Sequence, residues 1–126
     1  MLVYGACEYD EVAPFFKDMK NNGVTYENPN GALWFACRDA GRVVACVCLV
    51  LSKTTGRIKS VYTLPEYRGR GIFSALMKMA EGVAKDSGVK KITGFFNSNS
   101  VFYVRKHGYI CKEPNRNGVV FAELYV

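Results

Sequence analysis

Apolar positions along the chain follow two rhythms, one of period near 3.6 and one of alternating or continuous extended runs. Val12, Phe15, Phe16 and Met19 stand at i, i+3, i+4 and i+7 and predict a first helix over residues 11–21, with Pro14 close to its start. A short strand over residues 1–5 precedes it. Asn22-Gly23 ends the helix, and residues 27–31, with Pro29, read as loop. Residues 32–38, around Trp34, predict a strand, and Asp39-Ala40-Gly41 a tight turn. Residues 43–52 return as a nearly all-apolar strand, which implies burial on both faces. A second turn at 53–56 leads to an extended run over 57–64. Three strands in series with short turns make an antiparallel meander.

The helical rhythm then resumes. Ile72, Ala75, Leu76, Met79 and Val83 fall on one face, and Lys78, Glu81 and Lys85 on the other, with Gly88 as a C-terminal stop. A strand follows at 91–96. Asn97-Ser98-Asn99-Ser100 offers several N-caps for a short helix through His107, which Gly108 stops. Residues 109–112 and 119–126 are the final strands, and Asn117-Gly118 between them is a strong turn signal. The order is β-α-β-β-β-α-β-α-β-β, an α/β (α+β) arrangement. With no internal repeat, linker or low-complexity segment, residues 1–126 are expected to form a single domain.

Composition narrows the class. A hydrophobic content of 49% is that of an ordinary globular protein. The longest apolar run, 43–51, is too short to cross a membrane, and the N-terminus lacks a basic region followed by an apolar core, so a cytoplasmic location is expected. The net charge of +6, mostly an excess in the second half, fits an anionic ligand or an acidic or nucleic-acid partner. Charge alone does not choose, but no run of like charges resembles a nucleic-acid tail. Five cysteines without clustered pairs argue against a disulfide framework. Cys46 and Cys48 share one face of their strand and read as buried thiols. With His107 as the only histidine and no ligand spacing, no metal site is expected.

The stretch with chemistry in it is Pro65-Glu66-Tyr67-Arg68-Gly69-Arg70-Gly71-Ile72-Phe73-Ser74, between a strand and a helix. Glycines let a backbone approach a ligand, and exposed N–H groups at a helix start attract an anion. Arg68 and Arg70 add positive charge, so the natural guest is a phosphate or pyrophosphate. A plain turn with solvated arginines would show the same spacing.

Tyr67-Arg68-Gly69-Arg70-Gly71-Ile72 also resembles the acetyl-CoA loop of the GNAT N-acetyltransferases, with Arg68 and Gly71 matching its Arg-x-x-Gly-x-Gly/Ala pattern. Phe73 stands where the pattern has Gly or Ala, and should leave less room beside a pyrophosphate. Asn97 to Tyr109 is similar to the family's second motif: Asn97, Gly108 and Tyr109 fit, while Ser100 replaces the usual Ala. The element order also matches over nearly the whole chain. The resemblance implies a mixed, mostly antiparallel central sheet flanked by helices. It implies acetyl-CoA as acyl donor and an amine as acceptor, a small molecule or a protein.

The resemblance further implies site residues. Val61, Tyr62 and Thr63 would bind the pantetheine arm and thioester carbonyl. Gly69, Arg70, Gly71, Ile72, Phe73 and Ser74, with Arg68, would take the pyrophosphate. Asn97 would contact the cofactor where neighbouring strands splay apart. The family's tyrosine acid lies four residues before the motif glycine, which is Val104 here. Tyr103, one residue earlier, is the candidate proton donor to the thiolate. Base candidates are Tyr62, Glu27 and Glu123, or a water relayed by Ser60 or backbone, or no base at all. Tyr62 is as well suited to shaping the acceptor pocket, and Tyr26 and Glu27 are acceptor contacts by analogy. Alternatives are a relative that modifies a nucleic-acid base or transfers another acyl group, and a non-catalytic acyl-CoA-binding module. Oligomeric state, a homodimer included, is left open.

Overall fold

The computed structural model describes residues 1–16 and 28–126. The expected end of the first helix, its Asn22-Gly23 stop, and Tyr26 and Glu27 lie outside the described residues.

The strands are β1 (Leu2–Cys7), β2 (Ala32–Asp39), β3 (Arg42–Leu51), β4 (Thr55–Thr63), β5 (Lys91–Phe96), β6 (Ile110–Cys111) and β7 (Val120–Tyr125). The helices are α1 (Tyr9–Val12), α2 (Ile72–Asp86) and α3 (Val101–Lys106). Over the described residues the strands and α-helices follow the order the sequence predicts. The strands form one sheet in the order β1-β2-β3-β4-β5-β7-β6. Every neighbouring pair is antiparallel except β4 and β5, which run parallel.

The first helix starts earlier than its apolar spacing suggests. The Glu8 N–H donates to Glu11 Oε2 at 2.7 Å, which fixes the first turn ahead of residue 11. Pro14 then sits in a 3₁₀ turn, Ala13–Phe15, rather than at the helix start.

β3 is the centre of the core. Val44 to Leu49 are all at 0% exposure, covered on both faces as the apolar run implies. One face is covered by α2, which buries Ile72, Leu76, Met77, Ala80 and Ala84. Gly56 of β4 makes this approach possible, since a Cβ there would lie 3.0 Å from Ala84 Cβ. The buried stripe is rotated from the expected one, with Met79 and Val83 only half-buried. Glu81, expected in solvent, is buried. Ser87 and Gly88 end the helix as expected, Gly88 with a φ of +85°.

Candidate functional site

The site lies where β4 and β5 part. They pair from Thr55–Lys91 to Ile58–Gly94 and no further. Beyond that point β4 stays on β3, while Phe95 and Phe96 stay on β7. Two local features produce the split. Lys59 faces Cys48 and Tyr62 faces Cys46, so Ser60 and Val61 share one place in the ladder. This is a bulge, and Ser60 has a φ of +53°. Gly94 closes the paired stretch, where a Cβ would lie 2.8 Å from the Phe96 ring and 3.3 Å from the Ile58 carbonyl oxygen. Residues 61–63 therefore lie on an edge that, among the described residues, no further strand pairs with.

β4 leads through a 3₁₀ turn, Pro65–Tyr67, into the glycine loop. Gly69 and Gly71 have φ of +79° and +78°, and a Cβ on either would meet nothing within 4 Å. Glycine is thus demanded by the backbone, and the space beside it is open. Gly71 is the N-cap of α2, with no side chain capping the helix. The first helical bond runs from the Ala75 N–H to the Gly71 carbonyl at 3.1 Å. The amides of Ile72, Phe73 and Ser74 precede it and point outward at the positive end of the helix.

The two arginines brace this loop. Arg68 Nε donates to the Thr63 carbonyl at 3.0 Å, with its guanidinium 5.4 Å above the Tyr62 ring. Arg70 Nη2 donates to the Glu66 carbonyl at 3.2 Å, 4.7 Å above the Tyr67 ring. The Tyr67 hydroxyl donates to Asp39 Oδ2 at 2.6 Å, tying the loop to the β2–β3 turn. That bond is the main reason the Asp39 carboxyl titrates below its usual range and the Tyr67 phenol above its own.

On the opposite side Asn97 fixes the start of α3. Its Oδ1 accepts from the Asn99 N–H at 2.9 Å and the Ser100 hydroxyl at 3.2 Å. Ser100 Oγ in turn accepts from the Asn97 N–H at 3.1 Å. The Phe73 ring leans towards α3, 5.5 Å from Phe102 edge-on and 5.6 Å from Tyr103 nearly parallel.

Between these walls is a cavity of about 330 Å³. Its lining brings together Val61, Tyr62, Thr63, Arg68, Gly69, Gly71, Ile72, Phe73, Ser74 and Asn97. Arg70 stands off the wall, with Tyr67 there instead. Phe73 forms part of the wall without closing the corner. Asn99, Ser100 and Phe102 also line the cavity. The first two belong to the helix-start signal at 97–100, but nothing in the spacing singles out Phe102.

The sequence model of the acetyltransferase (GNAT) family matches residues 4–109. The chain belongs to the GNAT acetyltransferase family. Solved structures agree on the fold. The ribosomal-protein alanine N-acetyltransferase of Escherichia coli superposes with a TM-score of 0.82 at 12% identity, covering 100% of this chain and 94% of its own. Ard1 from Thermoplasma volcanium gives 0.80 at 14% identity, covering 99% and 97%. N-acetylglutamate synthase from Neisseria gonorrhoeae, complexed with coenzyme A and N-acetyl-glutamate, gives 0.77 at 10% identity, covering 99% of this chain and 35% of its own. No curated protein matches the chain in sequence.

In this GNAT protein Tyr103 is not on the cavity wall. It is 1% exposed, and its hydroxyl donates to Glu81 Oε1 at 2.8 Å. The Tyr109 hydroxyl donates to the other oxygen of the same carboxylate. Burial, then the Glu81 carboxylate, push both phenols well above the ordinary tyrosine value. The hydroxyl of Tyr103, the expected proton donor, is thus committed to Glu81 and stands away from the cavity. The reason is helical phase: one residue is about 100° of rotation, so Phe102 faces the cavity and Tyr103 faces α2.

The base candidates divide similarly. Tyr62 lines the wall with its ring edge on Phe15, centroids 5.3 Å apart. Glu123 accepts from Lys91 Nζ at 3.0 Å, at the end of β5 away from the split. The ring of His107, at the end of α3, stacks on Tyr103 with centroids 4.0 Å apart. Among the described residues, no carboxylate or imidazole lines the cavity. No group of His, Cys, Asp and Glu among them is arranged to hold a metal ion. Among the described residues, no helix is long and apolar enough to cross a membrane.

Proposed function

We propose that the protein is an acetyl-CoA-dependent N-acetyltransferase that moves the acetyl group directly to a primary amine of a small molecule or a protein. One observation carries this reading. The wedge between β4 and β5 opens onto the uncapped start of α2, so the stretch of β4 that β5 leaves after Ile58 and a cluster of amide donors share one cavity. That combination suits a long, amide-rich thioester with an anionic tail. The amides of Ile72, Phe73 and Ser74, beside Gly69, Gly71 and Arg68, would take the diphosphate. The edge at Val61, Tyr62 and Thr63 would take the pantetheine amides and polarise the thioester carbonyl. Asn97 would meet the arm where the strands part. Family membership and a coenzyme-bound structural neighbour support the cofactor.

The acceptor nitrogen attacks the thioester carbonyl, a C–N bond forms, and the C–S bond breaks to release the thiolate. With no carboxylate or imidazole on the described wall, the amine enters in its neutral form. As the tetrahedral intermediate collapses the acceptor nitrogen gives up its extra proton to water, the thiolate takes a proton from water, and Tyr62 shapes the acceptor side. The rate should therefore climb with pH as the acceptor ammonium loses its proton.

A second reading, a non-catalytic acyl-CoA-binding module, is favoured by the commitment of the Tyr103 proton to Glu81. A thiol-release assay with acetyl-CoA and a panel of amines separates the two. Acceptor-dependent release supports the transferase. Coenzyme A binding without turnover across the panel supports the module, and release only with DNA or RNA would make the acceptor a nucleic-acid base.

A further inference from the structure

Glu81 sits in mid-helix on α2, where the sequence pattern points it to solvent, yet it is 8% exposed. A buried carboxylate is costly unless its oxygens are hydrogen-bonded. Here each oxygen accepts from a phenol, Tyr103 on α3 and Tyr109 just before β6. Apolar residues in place of the whole buried cluster would often be as stable. What the carboxylate adds is direction: it fixes the rotation of α3 about its axis and the plane of the Tyr103 ring. Two rings lie nearly parallel to that ring. His107 stacks on it at 4.0 Å and 18°, and Phe73 lies near it at 5.6 Å and 27°. Phe73 is a wall residue of the cavity and touches Phe102, another wall residue, edge-on.

We infer that Glu81, Tyr103 and Tyr109 form a positioning clamp that holds Phe73 and the start of α3 in the geometry that admits acyl-CoA. The inference rests on the cavity being the acyl-CoA site. Glu81, Tyr103 and Tyr109 do not line the cavity, so they act through the Phe73 ring and the α3 backbone.

Tyr103→Phe keeps the ring and removes the hydroxyl. Glu81→Gln keeps an acceptor for one phenol, and both changes are mild enough to leave the fold intact. Two readouts are taken. The first is coenzyme A affinity by calorimetry, with KM and kcat from thiol release. The second is hydrogen exchange, without ligand, at the amides of residues 72–74 and 99–102. In Tyr103→Phe the coenzyme dissociation constant and KM rise about tenfold while kcat stays within about twofold, and the amides exchange faster. Glu81→Gln falls between this variant and the wild type. In a Phe73→Leu background, Tyr103→Phe weakens coenzyme binding little further, because the ring it positions is gone.

A fall in kcat with unchanged KM would place the Tyr103 hydroxyl at the reacting sulfur and overturn the clamp. Wild-type affinity and exchange in both variants would also overturn it. A wild-type protein that binds no coenzyme A sinks the proposed function instead. The exchange arm then still decides whether the clamp sets the cavity wall.

Discussion

Two kinds of tyrosine–carboxylate hydrogen bond flank the cavity, and they differ in how much water reaches them. On the loop side Tyr67 donates to Asp39, whose side chain is 31% exposed. On the α3 side Tyr103 and Tyr109 donate to Glu81 inside the protein. The donor and acceptor chemistry is the same. Half-buried, the first bond competes with water and is worth less. Buried, losing one partner leaves a polar group with nothing to replace it. The loop side can therefore yield as a ligand enters, while the α3 side holds its shape.

The comparison breaks altogether if no anion enters between the two sides. Gly71→Glu tests this. It should abolish measurable coenzyme A binding by calorimetry, a loss of about a hundredfold or more. Because φ at Gly71 is +78°, part of any change is backbone strain. Gly71→Ala carries the same strain without the charge, and should keep most of the affinity. Equal losses in the two variants would remove the anion from the argument.

The next largest effect should come from the buried side. Tyr109→Phe leaves one Glu81 oxygen without its donor and should cost about 2 kcal/mol in urea unfolding. The phenols of Tyr103 and Tyr109 hold their protons more tightly folded than unfolded. Above the ordinary tyrosine value of about 10 the unfolded chain loses those protons first, so stability falls as pH rises. The fall should be shallower in Tyr109→Phe than in the wild type. Parallel curves would mean that the phenols are not linked to folding.

The half-buried loop side should give the smallest effect. Tyr67→Phe should move the melting temperature by no more than about 2 °C at pH 7. Asp39 is depressed in the folded state, so whatever the bond contributes is present above the usual aspartate range and is lost as pH falls through it. At pH 3 the variant and the wild type should melt closer together. A larger gap at pH 3 than at pH 7 would contradict the assignment.

The order of elements is legible in the sequence because its signals are local. Asp39-Ala40-Gly41, Gly88, Gly108 and Asn117-Gly118 each mark a turn or a helix end within a few residues, and five of these positions have positive φ. The loop side of the cavity is legible for the same reason: two glycines and the helix start adjoin in the chain. The α3 side is not. Helical periodicity puts Glu81 with Lys78 and Lys85, and only the packing of α3 and Tyr109 against that face buries it. The start of α1 escapes because Glu8 and Glu11 set it, ahead of the apolar spacing. Tyr103 and Phe102 differ by one helical step, which a motif with one residue out of register cannot resolve.

The parting of β4 and β5 leaves two separated borders in the middle of a sheet, a place where strands ordinarily zip shut. Such borders invite foreign strands. Any molecule that bridges them serves as a missing rung, and its concentration enters the folding equilibrium directly. Inside a cell, the level of such a molecule would then set both how fast this protein works and how long it survives.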